Sequence, residues 1–491
     1  MFGVKSWLTG LSLLMAAGCI SAQTSLPDPV LAALRQASIA PEALSVVVAR
    51  AQGHKAPLIS HQATRSMQPA SVIKLVTTYA ALDLLGPNFS WETPVWLDGV
   101  INNGSLKGNL VIQGQGEPSL VLERLWLLLN KVRGFGVLTI DGDIVIDHSA
   151  FAIQPKDPGA FDGEPLRPYN AAPQALLINF RSVALTFTPD AAAGVARVQM
   201  DPPLWGVRLP ASVPLATNGN ACVDYRAALR VDFSNPLSIQ LNGSFPASCG
   251  EKVWPIAYAE PDSYNARAIE GVWRSMGGRL SGQVRLGSAP DQPPSFVWSS
   301  PPLGAVVRDI NKFSNNVMAQ QLFLTLGRIP AGSDRPNANR GKARSNQAEL
   351  RKWPSATFEQ ARARINGWWK ERIGAAPHLM VDNGSGLSRQ TRISAAELHA
   401  LLQKAYASPF MPELMASLPI SGLDGTLTRS KSTLASAHLK TGSLRGVMSL
   451  AGYVHTESGE TLTLVAIVNH ERAQAARDAL DALVHWAATR P

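Results

Sequence analysis

Gln68-Pro69-Ala70-Ser71-Val72-Ile73-Lys74-Leu75 sets a hydroxyl and an amine three residues apart, and the apolar run that follows continues to Gly86. Residues three apart share a helix face, so Ser71 and Lys74 form a candidate nucleophile beside a candidate base. Pro69 suits a first helical turn, whose N–H groups lack intrahelical partners, and Gly86-Pro87 is a stop signal. Between them Val72, Ile73, Leu75, Val76, Tyr79, Leu82, Leu84 and Leu85 leave almost no polar stripe. A helix apolar all round is normally enclosed by the rest of the fold. Burial disfavours an ammonium, which is what a lysine base requires, and a serine near the positive helix end is stabilised as an alkoxide develops. Ser-x-x-Lys also arises by chance about once in a chain of this size. The pair alone therefore identifies nothing, and the rest of the chain must decide.

The chain has 491 residues, 45% hydrophobic and 16% charged, which suits a globular protein of about three domains. Its net charge of +9 is scattered along the sequence rather than gathered in one run. Such a surface suits an anionic polymer, but no nucleic-acid module is present and no nucleic-acid partner is expected. Residues 1–22 read as a secretory signal peptide: Lys5, an apolar core from Trp7 to Ala17, then small residues ending at Ser21-Ala22. Cys19 follows Ala16-Ala17-Gly18, a weak lipoprotein box, yet the leucine such a box needs is missing. A mature chain without a membrane anchor, delivered to the periplasm or cell envelope, is expected. It keeps Cys222 and Cys249; in an exported protein one disulfide is the economical reading, and two buried free thiols are the alternative. The nine histidines form no metal-spaced pair, so neither metal nor cofactor is expected.

Hydrophobic periodicity gives a strand at Leu44–Arg50, the Ser71 helix, and strands with turns at Asn102-Asn103-Gly104 and Gly114-Gln115-Gly116. From Leu176 to Pro255 only short alternating runs occur, separated by Pro, Gly and Asn, and both mature cysteines fall among them. A helix and strand then resume the earlier α/β pattern, which implies nested insertion. Ser288–Pro302 is a Pro- and Ser-rich link, and Ala331–Lys352 a polar loop. The last strands, Gly446–His455 and Thr461–Asn469, join elements from the start of the chain in one discontinuous domain. The expected division is residues 23–95 with 288–491 for a catalytic α/β (α+β) domain, 96–175 with 256–287 for an inserted α/β domain, and 176–255 for an all-β domain nested in it.

Two further clusters carry chemistry. Ser314-Asn315-Asn316 interrupts a long helical region, and because Ser314 and Asn316 are two apart, the helix must break there if both serve one site. A hydroxyl and a carboxamide so placed suit proton relay and grip on a substrate amide; a plain helix cap is the alternative. Lys440-Thr441-Gly442-Ser443 opens a late strand. Lys440 and Thr441 suit a carboxylate, Gly442 permits close approach, and the N–H groups of Ser443 and Ser71 suit an oxyanion hole. The alternative is a surface lysine before a glycine bulge.

Taken in order, Ser71-Val-Ile-Lys74, Ser314-Asn-Asn316 and Lys440-Thr-Gly442 resemble the motifs of penicillin-binding proteins and serine β-lactamases. The interval of about 240 residues between the first two, with Asp382-Asn-Gly-Ser-Gly-Leu-Ser-Arg389 and Leu418-Pro-Ile-Ser-Gly-Leu-Asp-Gly-Thr-Leu427, narrows this. The chain is similar to the low-molecular-mass class C penicillin-binding proteins, the D-alanyl-D-alanine carboxypeptidases and endopeptidases of peptidase family S13, over essentially its whole mature length.

That resemblance implies a penicillin-binding transpeptidase-like fold, an antiparallel sheet flanked by helices with the inserted domains described above. It implies a serine DD-peptidase acting on peptidoglycan stem peptides and acylated by β-lactams. Ser71 would be the acylated nucleophile and Lys74 its base; Ser314 and Lys440 would pass the proton to the leaving group. Asn316 would hold the substrate amide, and Thr441 with Lys440 would engage the terminal carboxylate. Arg389 matches the family arginine thought to meet a diaminopimelate carboxylate, a task that suits a bidentate guanidinium; a surface ion pair is the alternative. Asn315 replaces the commoner Asp, and Gly159–Glu164 replaces a tryptophan-rich segment, which leaves open what Phe161, Asp162 and Glu164 contact. The rival readings are a β-lactamase-like hydrolase, for which no deacylation motif is evident, and a catalytically silent scaffold of the same fold.

Overall fold

Five antiparallel strands carry the site, in the spatial order Ala437–Leu444, Val447–His455, Thr461–Asn469, Leu44–Arg50 and Ile59–His61. The computed structural model describes residues 25–53, 56–216, 222, 224–330, 353–432 and 435–490. The expected signal peptide, Cys19 and the loop Ala331–Lys352 lie outside the described residues. Strand side chains alternate between faces, and here both faces are covered. Val47, Ala49, Ala451, Val465 and Ile467 pack beneath the helix Lys74–Leu85 and its neighbours. Val46, Val48, Leu450, Leu464, Ala466 and Val468 pack against helices Asp28–Gln36 and Arg477–Ala488, from the two ends of the chain. Double-sided burial explains why these strands are almost continuously apolar although they are antiparallel.

The helix Lys74–Leu85 forms on the expected residues, ten of its twelve are buried, and it ends at Gly86 with φ 79°. Its first turn differs from expectation: Ala70–Ile73 is 3-10 helix, and the α-helix begins only at Lys74. The entry is pinned from outside, since Met67 bridges Ile393 and the Pro69 carbonyl accepts from Ser449 Oγ at 2.7 Å. The long helical region breaks where the sequence implied, into Leu303–Phe313 and Asn316–Gly327, with Ser314 left-handed between them at φ 55°.

A second sheet, of seven mixed strands, is built from residues 92–147 and 279–299. Its antiparallel pair Glu92–Asn102 and Ser105–Gln113 turns at Asn103-Gly104, the signal legible in sequence. A third sheet, antiparallel, orders Ser212–Pro214, Val195–Asp201, Ser182–Asp190 and Lys252–Ala257. These two sheets share one apolar core, separate from the cores around the Ser71 helix.

Three expectations change. The link Ser288–Pro302 contains a strand, Phe296–Ser299, which adds antiparallel to Glu92–Asn102 in the seven-stranded sheet. The flanking prolines hide it, and an edge strand tolerates them because one row of its backbone groups needs no partner. Leu176–Ile178 pairs with Glu117–Leu120 rather than with the strands that follow it. The stretch read as all-β also contains a short helix, Tyr225–Leu229, capped by Asp224. Within this stretch Cys222 and Cys249 are disulfide-bonded.

Candidate active site

Ser71 sits half-buried on the 3-10 turn, directly after Ala70, whose φ of 50° is unfavourable for a residue with a side chain. Lys74, wholly buried, donates from Nζ to Ser71 Oγ at 3.0 Å, to Asn316 Oδ1 at 2.6 Å and to the Ser385 carbonyl. Three acceptors match the three protons of an ammonium, so Lys74 is fixed in position. Burial pushes its pKa well below the usual lysine value, and the charge of Lys440 lowers it further. A lysine so depressed gives up a proton readily, and a neutral amine at this distance can accept one from a hydroxyl.

Ser314, in the left-handed gap between two helices, accepts from Lys440 Nζ at 2.9 Å. Lys440 is wholly buried, and desolvation pushes its pKa down to about 7; its Nζ also donates to the Thr441 carbonyl at 2.8 Å. Asn315 takes no part in this chain: its side chain caps the helix Asn316–Gly327 by accepting from Met318 N–H at 3.0 Å. Aspartate would cap equally well, which accounts for the tolerance of Asn at this position. Asn316 is buried, bonding Lys74 on one side and the Tyr169 carbonyl on the other.

The strand Ala437–Leu444 is an edge of its sheet and lies against the Ser71 turn. Gly442 is required by that approach: a Cβ there would stand 2.3 Å from Ser449 Oγ, 2.8 Å from the Pro69 carbonyl oxygen and 3.0 Å from Ser71 N. Gly386 is required likewise, at φ 83° with its would-be Cβ 2.1 Å from the Ala70 carbonyl oxygen. Thr441 Oγ1 lies 2.7 Å from Thr426 Oγ1. Ser71, Ser314, Thr426, Thr441, Gly442 and Ser443 line a cleft of about 290 Å³, closed on its far side by Arg477, Leu480 and Asp481 of the last helix.

Ser71, Lys74, Ser314, Asn316 and Lys440 are therefore brought together, with Thr441, Gly442 and Ser443 along the cleft wall. Arg389 is exposed; its guanidinium lies 5.1 Å over the Phe161 ring, and Nη1 donates to the Arg445 carbonyl at 2.8 Å. No carboxylate among the described residues pairs with it, so the surface ion pair is not what holds it. Asp162 accepts from Tyr169 Oη at 2.9 Å and Asn170 Nδ2 at 2.7 Å, and Glu164 pairs with Arg167; both shape their own loop. Side-chain patterns do not reveal the Ser385 and Tyr169 carbonyls or Thr426. The only signals were that Ser385 and Thr426 lie inside the two longer motifs. Thr426 is held by its loop, where Asp424 pairs at 2.5 Å with the buried Lys312.

A family model described as "D-Ala-D-Ala carboxypeptidase 3 (S13) family" matches residues 29–490. The chain is 26% identical over 414 residues to the D-alanyl-D-alanine carboxypeptidase DacB of Haemophilus influenzae, covering 82% of this chain and 80% of that one. It is 28% identical over 438 residues to a D-alanyl-D-alanine carboxypeptidase of an Actinomadura species, covering 84% and 75%. In fold it is similar to the crystal structure of penicillin binding protein 4 from Haemophilus influenzae, with a TM-score of 0.67, 24% identity, and 93% and 99% of the two chains covered.

Proposed function

We propose, from the premise that this chain belongs to the D-Ala-D-Ala carboxypeptidase 3 (S13) family, that it is a serine DD-peptidase of the cell envelope. Its substrates are peptidoglycan peptides: terminal D-alanyl-D-alanine, D-alanyl-diaminopimelate crosslinks, or both. The observation that carries this is the 3.0 Å contact between Lys74 Nζ and Ser71 Oγ inside a buried network that holds the amine and depresses its pKa.

In this reading Lys74 takes the Ser71 proton as Oγ attacks the carbonyl carbon of the penultimate D-alanine. Negative charge develops on the carbonyl oxygen between the N–H groups of Ser71 and Ser443. The C–N bond then breaks, and the leaving amine takes a proton through Ser314, which Lys440 supplies. Asn316 holds the substrate amide; Thr441, with Thr426 beside it, meets the terminal carboxylate. The peptide lies along the edge strand, whose outward backbone groups hydrogen-bond an extended chain. Water then releases the acyl group from Ser71. A β-lactam follows the same first step and stays attached, because its ring-opened product carries its own leaving group. Arg389, stacked on Phe161 without a carboxylate partner among the described residues, suits the free carboxylate of a diaminopimelate side chain.

Residues 1–22 read as the leader that delivers the chain to the periplasm, and no helix among the described residues is long and apolar enough to cross a membrane. Digestion of defined monomeric and crosslinked muropeptides, followed by mass spectrometry, tests the reading. Wild type is expected to release D-alanine or split the crosslink and Ser71→Ala to do neither; intact products from wild type would refute it.

A further inference from the structure

The active-site cleft runs on past the groups that the proposed function uses. Thr441 and Thr426 stand where the carboxylate of the leaving residue is expected, and the cleft walls continue from them to the start of the helix Arg477–Ala488. On one side Leu427 follows Thr426 in its loop; on the other, Leu450 lies opposite Thr441 in the neighbouring strand. Leu480, 2% exposed, adds a third apolar wall. Arg389 and Phe161 take no part in this lining. An alanine leaving group carries one carboxylate, which Thr441 with Thr426 already meets.

Arg477 is the cation among the cleft's described lining residues. It is exposed, and no described residue forms a hydrogen bond or ion pair with its side chain. Its natural partner is Asp481, four residues on along the same helix face. That acid is engaged elsewhere: Oδ1 accepts from Ser430 Oγ at 2.8 Å and Oδ2 from the Lys431 N–H at 3.2 Å. Asp478, in the same turn, pairs with Lys431 Nζ at 3.3 Å. Arg477 also opens its helix, the end at which the dipole disfavours a cation. A lone arginine on an open surface would need no explanation. One that lines a catalytic cleft, at the unfavourable end of a helix and beside acids turned to other partners, is placed for an anion that the described protein does not supply.

We propose, building on the proposed function, that Arg477 binds a carboxylate of the leaving group beyond the one at Thr441, and so favours crosslinked peptides over terminal D-alanyl-D-alanine. The group displaced from a crosslink is a second stem peptide. It keeps a carboxylate next to the cut bond and adds the carboxylates of its own chain. A guanidinium fork matches one of these bidentately, while Leu427, Leu450 and Leu480 cover the aliphatic stretch that leads to it.

The test compares kcat/KM for a crosslinked muropeptide dimer, for a monomeric pentapeptide, and for a dimer amidated at the acceptor-stem carboxylates away from the cut bond. Arg477→Ala is expected to lower the dimer-to-pentapeptide ratio about fivefold, the size of one solvent-accessible ion pair, through KM rather than kcat. Amidation should cost wild type the same factor and cost Arg477→Ala nothing further, because two changes that remove one contact do not add. Arg477→Lys, which keeps the charge without the fork, should fall between. An unchanged ratio in Arg477→Ala, or an amidation penalty that persists in full in that variant, would overturn the proposal. Calorimetric titration of Ser71→Ala with the two dimers reads the same contact without turnover. Tighter binding of the unamidated dimer is expected, with the difference lost when Arg477→Ala is added; equal affinity, or no binding of either dimer, would overturn the proposal. Release of D-alanine by wild type with a dimer ratio indifferent to Arg477→Ala fails this proposal alone. A wild type that cleaves no substrate, with a Ser71→Ala form that still tells the two dimers apart through Arg477, fails the proposed function alone.

Discussion

Two lysines share one buried site, and burial lowers the pKa of each. Lys74 feels both desolvation and the charge of Lys440, whereas Lys440 is lowered by desolvation, to about 7. Under the proposed function Lys74 is the base and Lys440 the cation that supplies the proton through Ser314. Acylation must then need neutral Lys74 and protonated Lys440. The second-order acylation rate, which reports the free enzyme, is expected to rise on the acid side with Lys74 and fall above about pH 7 with Lys440. Arginine stays protonated beyond the accessible range, so Lys440→Arg should lower the plateau and abolish the alkaline fall. A fall near pH 7 that persists in that variant would assign the limb to another group. Lys74 was legible from its spacing to Ser71 and the apolar run after it, and Lys440 from its place in Lys-Thr-Gly, but only the three motifs together pointed to the chemistry. The Ser385 and Tyr169 carbonyls that complete the network were not, because every residue has a carbonyl and only the fold selects which is used.

Between the elements, the close approach of the edge strand Ala437–Leu444 to the Ser71 turn makes the cleft. Gly442→Ala puts a methyl group against two backbone atoms that cannot rotate away, the Pro69 carbonyl and Ser71 N. Strand and turn must part by several tenths of an ångström. Misplacement by 1 Å can cost about 10²-fold in rate, so a shift of several tenths is expected to slow acylation about tenfold while thermal unfolding moves only slightly. Stopped-flow acylation with a chromogenic β-lactam measures the first, calorimetry the second; an unchanged rate would contradict the close approach. The glycine was readable as a permission for contact, but not what it contacts. Likewise the break at Ser314 was expected on the condition that Ser314 and Asn316, two apart, serve one site, whereas the 3-10 turn at Ser71 was not. Its cause is tertiary: Ser449 and Ile393 hold the entry from outside the segment.

Across the whole molecule, the sheet that carries the chemistry joins both ends of the chain, with Leu44–Arg50 paired along Thr461–Asn469. Almost continuous apolar runs made these strands legible; Phe296–Ser299 escaped because its prolines read as linker. The disulfide belongs to the other body of packing: Cys249 lies in the core shared by the seven- and four-stranded sheets, not in the core around the Ser71 helix. It closes a 27-residue separation. Cys222→Ser with Cys249→Ser is expected to cost about 2–5 kcal/mol in denaturant unfolding of that region and to leave penicillin acylation unchanged; a parallel loss of acylation would show the cores to be coupled. The central claim is that Ser71, with Lys74 as its base, is the residue that becomes acylated. The most direct measurement is intact-protein and peptide mass spectrometry after brief exposure to benzylpenicillin. The account predicts one adduct of the drug's full mass on the peptide carrying Ser71, absent in Ser71→Ala and formed at least 10²-fold more slowly in Lys74→Ala. No adduct, or an adduct on another residue that survives Ser71→Ala, would contradict it.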